Sequence, residues 1–338
     1  MTKLLAAAAA LVGLLGQSLG ALAADKEVTI GYQLIYSPWH VAIADSRFEK
    51  ATGWQINWRQ FDSGAKVVTA MDNGEVQIAL AGSSPIAAGI SRGIPIELFW
   101  IVNDIASAEA LVARDGAGIV APQDLKGKKI AVPFVSTTHF HTLFALEQFG
   151  IDTSEVEVLN MQPPRIAEAW SAGQIDAAFV WDPVLGFIKQ SGDVLITSGQ
   201  LSAWGKATFD GMVALRDFSA ANPEFMAAFV SVLAEADEVY RSNAETWTSD
   251  TPEVKAIAEL VGGNPDNVPA VLALYGFPAL AEQVSCRWLG CGKDGGAARA
   301  LLFTSEFLRD QGKIDGVLPE YSRFVNPAFV EAARQMKE

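Results

Sequence analysis

The chain has 338 residues, 50% of them hydrophobic, and sets 39 Asp and Glu against 25 Lys and Arg for a formal net charge of −14. A surface this acidic repels nucleic acid and anionic membranes, which excludes both as expected partners, and it leaves open a small ligand held in a cleft. The two cysteines, Cys286 and Cys291 in SCRWLGCGK, have no His or further Cys nearby, so they make no metal site; a local disulfide and two free thiols both fit.

In chain order, the first residues place Lys3 ahead of an apolar core from Leu4 to Leu15 and end on Ala21-Leu22-Ala23, an A-x-A processing signal. The apolar stretch is too short to span a membrane and reads as a secretory signal peptide, residues 1–23. With no lipobox cysteine, the expected product is a soluble exported protein of about 315 residues, room for two lobes. From Val28 the pattern is strand VTIGY, loop QLIYSPW, helical stretch HVAIADSRFEKATG, strand QINWRQF, helix GAKVVTAMDNG and buried strand VQIALA, which stops at GSSP. There Ser can cap a helix with Pro at its first position, and the free N–H groups of the same helix start could take an anion.

From Lys129 the same plan recurs: strand KIAVP, hydroxyl-rich loop FVSTTHF, helix HTLFALEQFG, strand VEVLNM, helix QPPRIAEAWSAG and strand IDAAFV, which stops at WDP. Strands alternating with helices of this size predict an α/β fold of two lobes, each a mainly parallel sheet flanked by helices. Ligands of such sheets sit beyond the carboxyl ends of the strands. Those ends carry Gln33, Tyr36, Asp62, Ser63, Ser83 and Ser84 in the first half, and Ser136, Thr137, Thr138, His139, Gln162, Trp181 and Asp182 in the second. Two further segments look alike, SAEALVAR (107–114) and FDGMVALR (209–216), and read as paired strands crossing between the lobes. That assigns residues 24–111 and 212–338 to one lobe and 112–211 to the other, with Glu109 and Asp210 at the hinge. The tail from Ser219 reads as mostly helical and packed on the first lobe.

The motifs WRQFDSGAKVV, VQIALAGSSPIA, SAEALV, LKGKKIAVPFVSTTHF, LNMQPP and IDAAFVWDP together resemble the substrate-binding components of taurine ABC importers, within the aliphatic sulfonate and nitrate binding group. The resemblance runs over most of residues 28–216 and more loosely through TSEFLRDQGKI. It implies a type II periplasmic binding fold, no catalysis, no cofactor, a periplasmic location, a monomer, and delivery of taurine to an ABC permease with its ATPase. In the first loop, Tyr36, Ser37 and Trp39 stand where some taurine binders carry an acidic residue before the proline.

Taurine is a zwitterion. Its sulfonate needs donors, which Ser83, Ser84, Thr137, Thr138 and helix-start N–H groups can supply. Its ammonium needs acceptors, for which Asp210 and Glu109 come first and Asp182 next, with Trp181 and Tyr36 able to offer ring faces. Gln33, Asp62 and His139 complete the candidate set. Each has a structural alternative: Thr137, Thr138 and Asp182 can cap helices, His139 can pack at a helix start, Trp181 can be core, and Glu109 can pair with an arginine. The rival readings are another alkanesulfonate or small zwitterion as ligand, a sensor that hands its ligand to a receptor, and a serine hydrolase built from Ser83 or Ser84 with His139 and an Asp. The hydrolase reading lacks the G-x-S-x-G elbow.

Overall fold

The computed structural model describes residues 26–336, so the signal-peptide reading lies outside the described residues. Ten strands form two five-stranded sheets. The first holds β1 (Glu27–Gln33), β2 (Gln55–Phe61), β3 (Ile78–Gly82), β4 (Ile96–Asp104) and β10 (Phe209–Leu215), in the order β2-β1-β3-β10-β4. The second holds β5 (Glu109–Arg114), β6 (Lys129–Val132), β7 (Glu157–Asn160), β8 (Ala177–Trp181) and β9 (Gly192–Thr197), in the order β7-β6-β8-β5-β9. The two orders are the same arrangement, β1 to β4 corresponding to β6 to β9. In each sheet one strand, β10 or β5, lies antiparallel between its neighbours while the other pairings are parallel. The central strands β3 and β8 are buried along their whole length, as IALAG and AAFVW require when helices cover both faces of a sheet.

Three expectations change. The helical stretch after Trp39 is two helices, Trp39–Ala44 and Arg47–Thr52, because Ser46 takes a left-handed conformation (φ 52°) that no helix continues through. Strands β4 and β9, unread in the sequence, complete the two sheets. The segments SAEALVAR and FDGMVALR do not pair with each other: β5 pairs with β8 and β9, and β10 with β3 and β4. The crossings are instead the short stretches 105–108 and 204–208, which touch where Ile105 N–H donates to the Thr208 carbonyl (3.3 Å). The lobe boundaries therefore fall several residues before 111/112 and 211/212.

The tail is helical and packs on the first lobe. Its long helix Pro223–Asn243 lays Phe229 among the rings of Phe48 (4.6 Å), Phe225 (5.8 Å) and Phe99 (6.4 Å), and the helix Gly296–Asp310 lies against the helix Ser83–Ser91. Cys286 and Cys291 are joined by a disulfide in the loop before Gly296. Phe229 is fully buried. Phe229→Ala is therefore expected to lower the stability to urea by about 3–5 kcal/mol through the cavity it leaves, with the m-value unchanged.

Candidate functional site

The antiparallel strands bring two acids to one place. Asp210, second residue of β10, stands opposite Gly82 at the end of β3 and opposite Asn103 on β4; Glu109, first residue of β5, stands opposite Trp181 at the end of β8. Asp210 is 3% and Glu109 4% exposed. Burial pushes the Asp210 carboxyl up to about 7, with its cross-strand neighbour Asn103 acting the other way. Burial pushes Glu109 up to about 8; the charge of Asp210 adds to this, and hydroxyls of Thr137 and Ser198 oppose it. Asp182 is raised to about 6, again by burial first, with the N–H of Gly186 and the charge of Lys189 opposing. Among the described residues no cationic side chain offsets Glu109 or Asp210.

Beside the acids lie helix starts. The helix Ser83–Ser91 follows β3 directly, and the helix Gly64–Asp72, capped at Ser63, meets it closely enough that a Cβ on Gly64 would sit 2.7 Å from Pro85 Cγ. From the other lobe comes the helix Thr137–Gln148: a Cβ on Gly82 would sit 2.9 Å from Thr137 Cγ2 and 3.5 Å from Asp210 Oδ1. Three helix N-termini and a buried carboxylate thus converge on Gly82. The expected serine cap is absent. Gly82, in extended conformation, is the cap residue, Pro85 is the third helical residue, and the hydroxyls of Ser83 and Ser84 are buried with no protein partner, as is that of Ser63. A buried hydroxyl without a partner is unfavourable unless something else bonds to it. Free N–H groups at helix starts favour an anion there.

The remaining candidates divide. In the second lobe the cap is Ser136, which accepts from His139 N–H; Thr138 bonds to Ser136, and Thr137 donates to Glu109 (2.5 Å). Gln33 is buried at the end of β1, with Oε1 beside Gly64. Tyr36 is buried and feels the charge of Asp182, and Trp181 spans the lobes by donating from Nε1 to the Leu34 carbonyl (2.9 Å). Asp182 both faces this cluster and accepts from Gly186 N–H (3.0 Å) as a helix-start acid. Asp62 stays outside: it is half-exposed and ion-paired with Lys66 one helical turn on. His139 serves the loop rather than a serine. Its Nδ1 accepts from Val135 N–H (3.2 Å), its ring stacks on Phe134, and it holds Val135 in the left-handed region (φ 67°), which a β-branched residue seldom enters. No hydrogen bond among the described residues joins His139 to Ser83 or Ser84.

One residue of the cluster lay unread in the tail. Tyr275 is buried where the charges of Asp210, Glu109 and Asp182 all bear on it, and burial together with those charges drives its hydroxyl well above the usual tyrosine value. The loop YGFP that carries it pairs Gly276 with Asp104 at the first crossing. Its signal was an aromatic followed by a Gly and Pro break, the same kind of stop as WDP. Among the described residues no His, Cys, Asp and Glu cluster could hold a metal.

The family model described as NMT1/THI5 like matches residues 48–245. The taurine-binding periplasmic protein of Escherichia coli strain K12 is 39% identical over 304 residues, 90% of this chain and 92% of that protein. Among solved structures, the alkanesulfonate-binding protein SsuA from Xanthomonas axonopodis pv. citri bound to MOPS matches with a TM-score of 0.71 at 21% identity, over 90% of this chain and 97% of that one. The desulfurization enzyme DSZB matches with a TM-score of 0.63 at 15% identity, over 92% of this chain and 100% of that one. The structural likenesses speak for the fold alone, a two-lobed fold that carries a binding protein and an enzyme alike.

The raised carboxylates have a consequence for stability. A group that holds its proton more tightly folded than unfolded stabilises below its unfolded value, and that stability is lost as pH rises through the folded value. For Asp210 and Glu109 the loss runs up to about 7 and about 8. The three histidines, lowered to about 3 (His40) and about 4 (His139, His141) chiefly by burial, act oppositely: their contribution is lost as pH falls. They are neutral folded and unfolded above about pH 7. The melting temperature of the ligand-free protein is thus expected to fall between about pH 7 and 8.5, and to fall less in Asp210→Asn. Equal slopes in the two proteins would mean that Asp210 titrates as it does unfolded.

Proposed function

The chain belongs to the NMT1/THI5-like family, beside the taurine-binding periplasmic protein of Escherichia coli, and from that membership we propose that it captures taurine between its lobes and delivers it to the permease and ATPase of an ABC importer. It works by binding and release, without bond chemistry, as an exported periplasmic protein. No helix among the described residues is long and apolar enough to cross a membrane.

The observation that carries the ligand assignment is the register Asp210↔Gly82. It sets a buried carboxylate beside the residue that opens the helix of Ser83 and Ser84. A ligand with an ammonium and a sulfonate on a short linker satisfies both at once. The sulfonate takes the serine hydroxyls and the helix-start N–H groups, each charge-assisted bond contributing about 1.5–3 kcal/mol. The ammonium supplies the positive charge that the acids lack. Nitrate or sulfate would leave Asp210 buried without a counter-charge, which disfavours them. Closure then joins the lobes through contacts such as Trp181 to Leu34 and Thr137 to Gly82, the hinge mode of two-lobed binding proteins.

Calorimetric titration of ligand-free protein with taurine tests this. Wild type is expected to bind at micromolar or tighter affinity, and Asp210→Asn to lose about 100-fold or more, as for the loss of one partner in a buried charge pair. Ser84→Ala is expected to lose about 10-fold. No heat with taurine would overturn the assignment and turn attention to longer alkanesulfonates. Tight binding that survives in Asp210→Asn would move the ammonium to Glu109 or Asp182.

A further inference from the structure

Glu109 lies in a chain of buried polar contacts that runs away from the ligand to the hinge. Thr137 Oγ1 reaches one carboxyl oxygen (2.5 Å) and Ser198 Oγ the other (2.9 Å); His141 Nδ1 is 2.8 Å from Ser198 Oγ, and His141 Nε2 is 2.8 Å from the Lys206 carbonyl oxygen. Lys206 belongs to the returning crossing 204–208. Every member except Lys206 is buried.

Counting protons decides what this chain can be. A carbonyl oxygen only accepts, so His141 Nε2 carries a proton. Ser198 has one proton and two close neighbours. If it donates to an ionised Glu109, Nδ1 must donate to Ser198, and His141 is then a cation. If it donates to a neutral His141 at Nδ1, the Glu109 carboxyl must donate to Ser198, and Glu109 is then a neutral acid. An ionised Glu109 with a neutral His141 would leave two lone pairs facing at one of these contacts, which a separation of 2.8 or 2.9 Å does not allow. One extra proton therefore resides on Glu109 or on His141.

The surroundings choose between them. His141 is fully buried against the rings of Phe140 and Phe179, with Ser198 and the Lys206 carbonyl as its polar neighbours, and burial pushes it down to about 4. Glu109 faces Thr137, Ser198 and the charge of Asp210, with Tyr275 close by, and is pushed up. Two carboxylates in one dry site do not readily both ionise.

We propose that Ser198 and His141 are positioning residues that hold Glu109 as a neutral carboxylic acid, so that of the two hinge acids only Asp210 presents a negative charge to the ligand cation. The role of Asp210 rests on the taurine reading; the placement of the proton does not. The arrangement sets specificity by charge count. Of the hinge pair, one acid calls for a counter-charge and the other does not.

The chain has three histidines, which makes the proton directly observable. In ligand-free protein, long-range nitrogen–proton NMR is expected to show His141 with a proton on Nε2 and a bare Nδ1 from about pH 6 to about pH 8. An imidazolium signature at His141 would overturn the proposal, since Glu109 would then be ionised. The second measurement uses Glu109→Gln, whose amide repeats the bond pattern of the neutral acid: its oxygen accepts from Thr137 and its N–H donates to Ser198. This variant is expected to keep the wild-type His141 tautomer, with Nε2 protonated and Nδ1 bare, whereas a change of His141 from doubly protonated in wild type to neutral in the variant would equally overturn the proposal. If wild type does not bind taurine at all, the taurine reading fails and the NMR result still decides where the proton sits.

Discussion

Two carboxyl groups buried at one hinge with no cation beside them are the constraint on which the rest of the arrangement turns. Each would be strongly hydrated if the lobes were apart, and burial penalises the ionised form by several kcal/mol per charge. Closure therefore removes water from Asp210 and Glu109 and must replace it. A proton, a hydroxyl or a ligand ammonium can do so, and here the replacements are divided. Glu109 has the hydroxyls of Thr137 and Ser198 at hydrogen-bond distance, while the neighbour of Asp210 is the Asn103 side chain. Closing on an anion alone would bury the Asp210 charge uncompensated; closing on a zwitterion does not. Selection for a ligand with a positive end follows from the cost of shutting the cleft as much as from attraction within it.

The same device appears twice because the fold is built twice. β10 occupies in the first sheet the place of β5 in the second, antiparallel between a buried strand and the edge. Each delivers an acid to the residue opposite the end of that buried strand: Asp210 to Gly82, Glu109 to Trp181. The two buried strands lead into different segments, and the difference separates the roles. After β3 comes Ser83-Ser84-Pro85, an immediate helix start with unpartnered hydroxyls. After β8 comes Asp182-Pro183, an acid that caps the short helix Val184–Ile188. The second strand thus adds an acid where the first adds unpartnered hydroxyls, and together the two segments suit a ligand whose two ends differ in sign.

Much of this was legible in the sequence where a local rule and a global repeat agreed. The recurrence of strand, helix, Gly and strand named six strands in place, and the polar residues at their ends included nearly all of the cluster. The failures have specific causes. SAEALVAR and FDGMVALR look alike because they fill equivalent places in two sheets, and likeness was mistaken for pairing. The serine before Pro85 was read as a cap because Ser is a good one, but the helix starts earlier and the backbone of Gly82 already supplies the extended residue it needs, which frees the hydroxyls. Asp62 sits beside Ser63 in the chain yet turns to Lys66, since an acid and a lysine one helical turn apart satisfy each other at the surface. Tyr275 comes from a tail whose helical periodicity concealed one short loop returning to the hinge. The role of Ser198 and His141 could not be read from spacing, because it depends on three segments distant in sequence meeting around one proton.

That proton chain also bears on how closure is transmitted. The lobes touch directly through Trp181 and Leu34, through Thr137 and Gly82, and through the rings of Phe140 and Phe307 (4.8 Å). These contacts bring the lobes together but do not distinguish one ligand from another. A ligand shifts the open and closed populations only by what it binds better in one of them, and on the proposed reading that difference lies at Asp210 and at the helix starts, which come from both sides of the cleft. Glu109 is tied through Ser198 and His141 to the carbonyl of Lys206 on the returning crossing, so its position is fixed to the hinge rather than to the ligand. A neutral acid held from behind would form a rigid wall, with Asp210, beside Asn103, opposite it. Such a wall costs little electrostatically, and the remaining cost falls on Asp210, where a ligand cation would offset it.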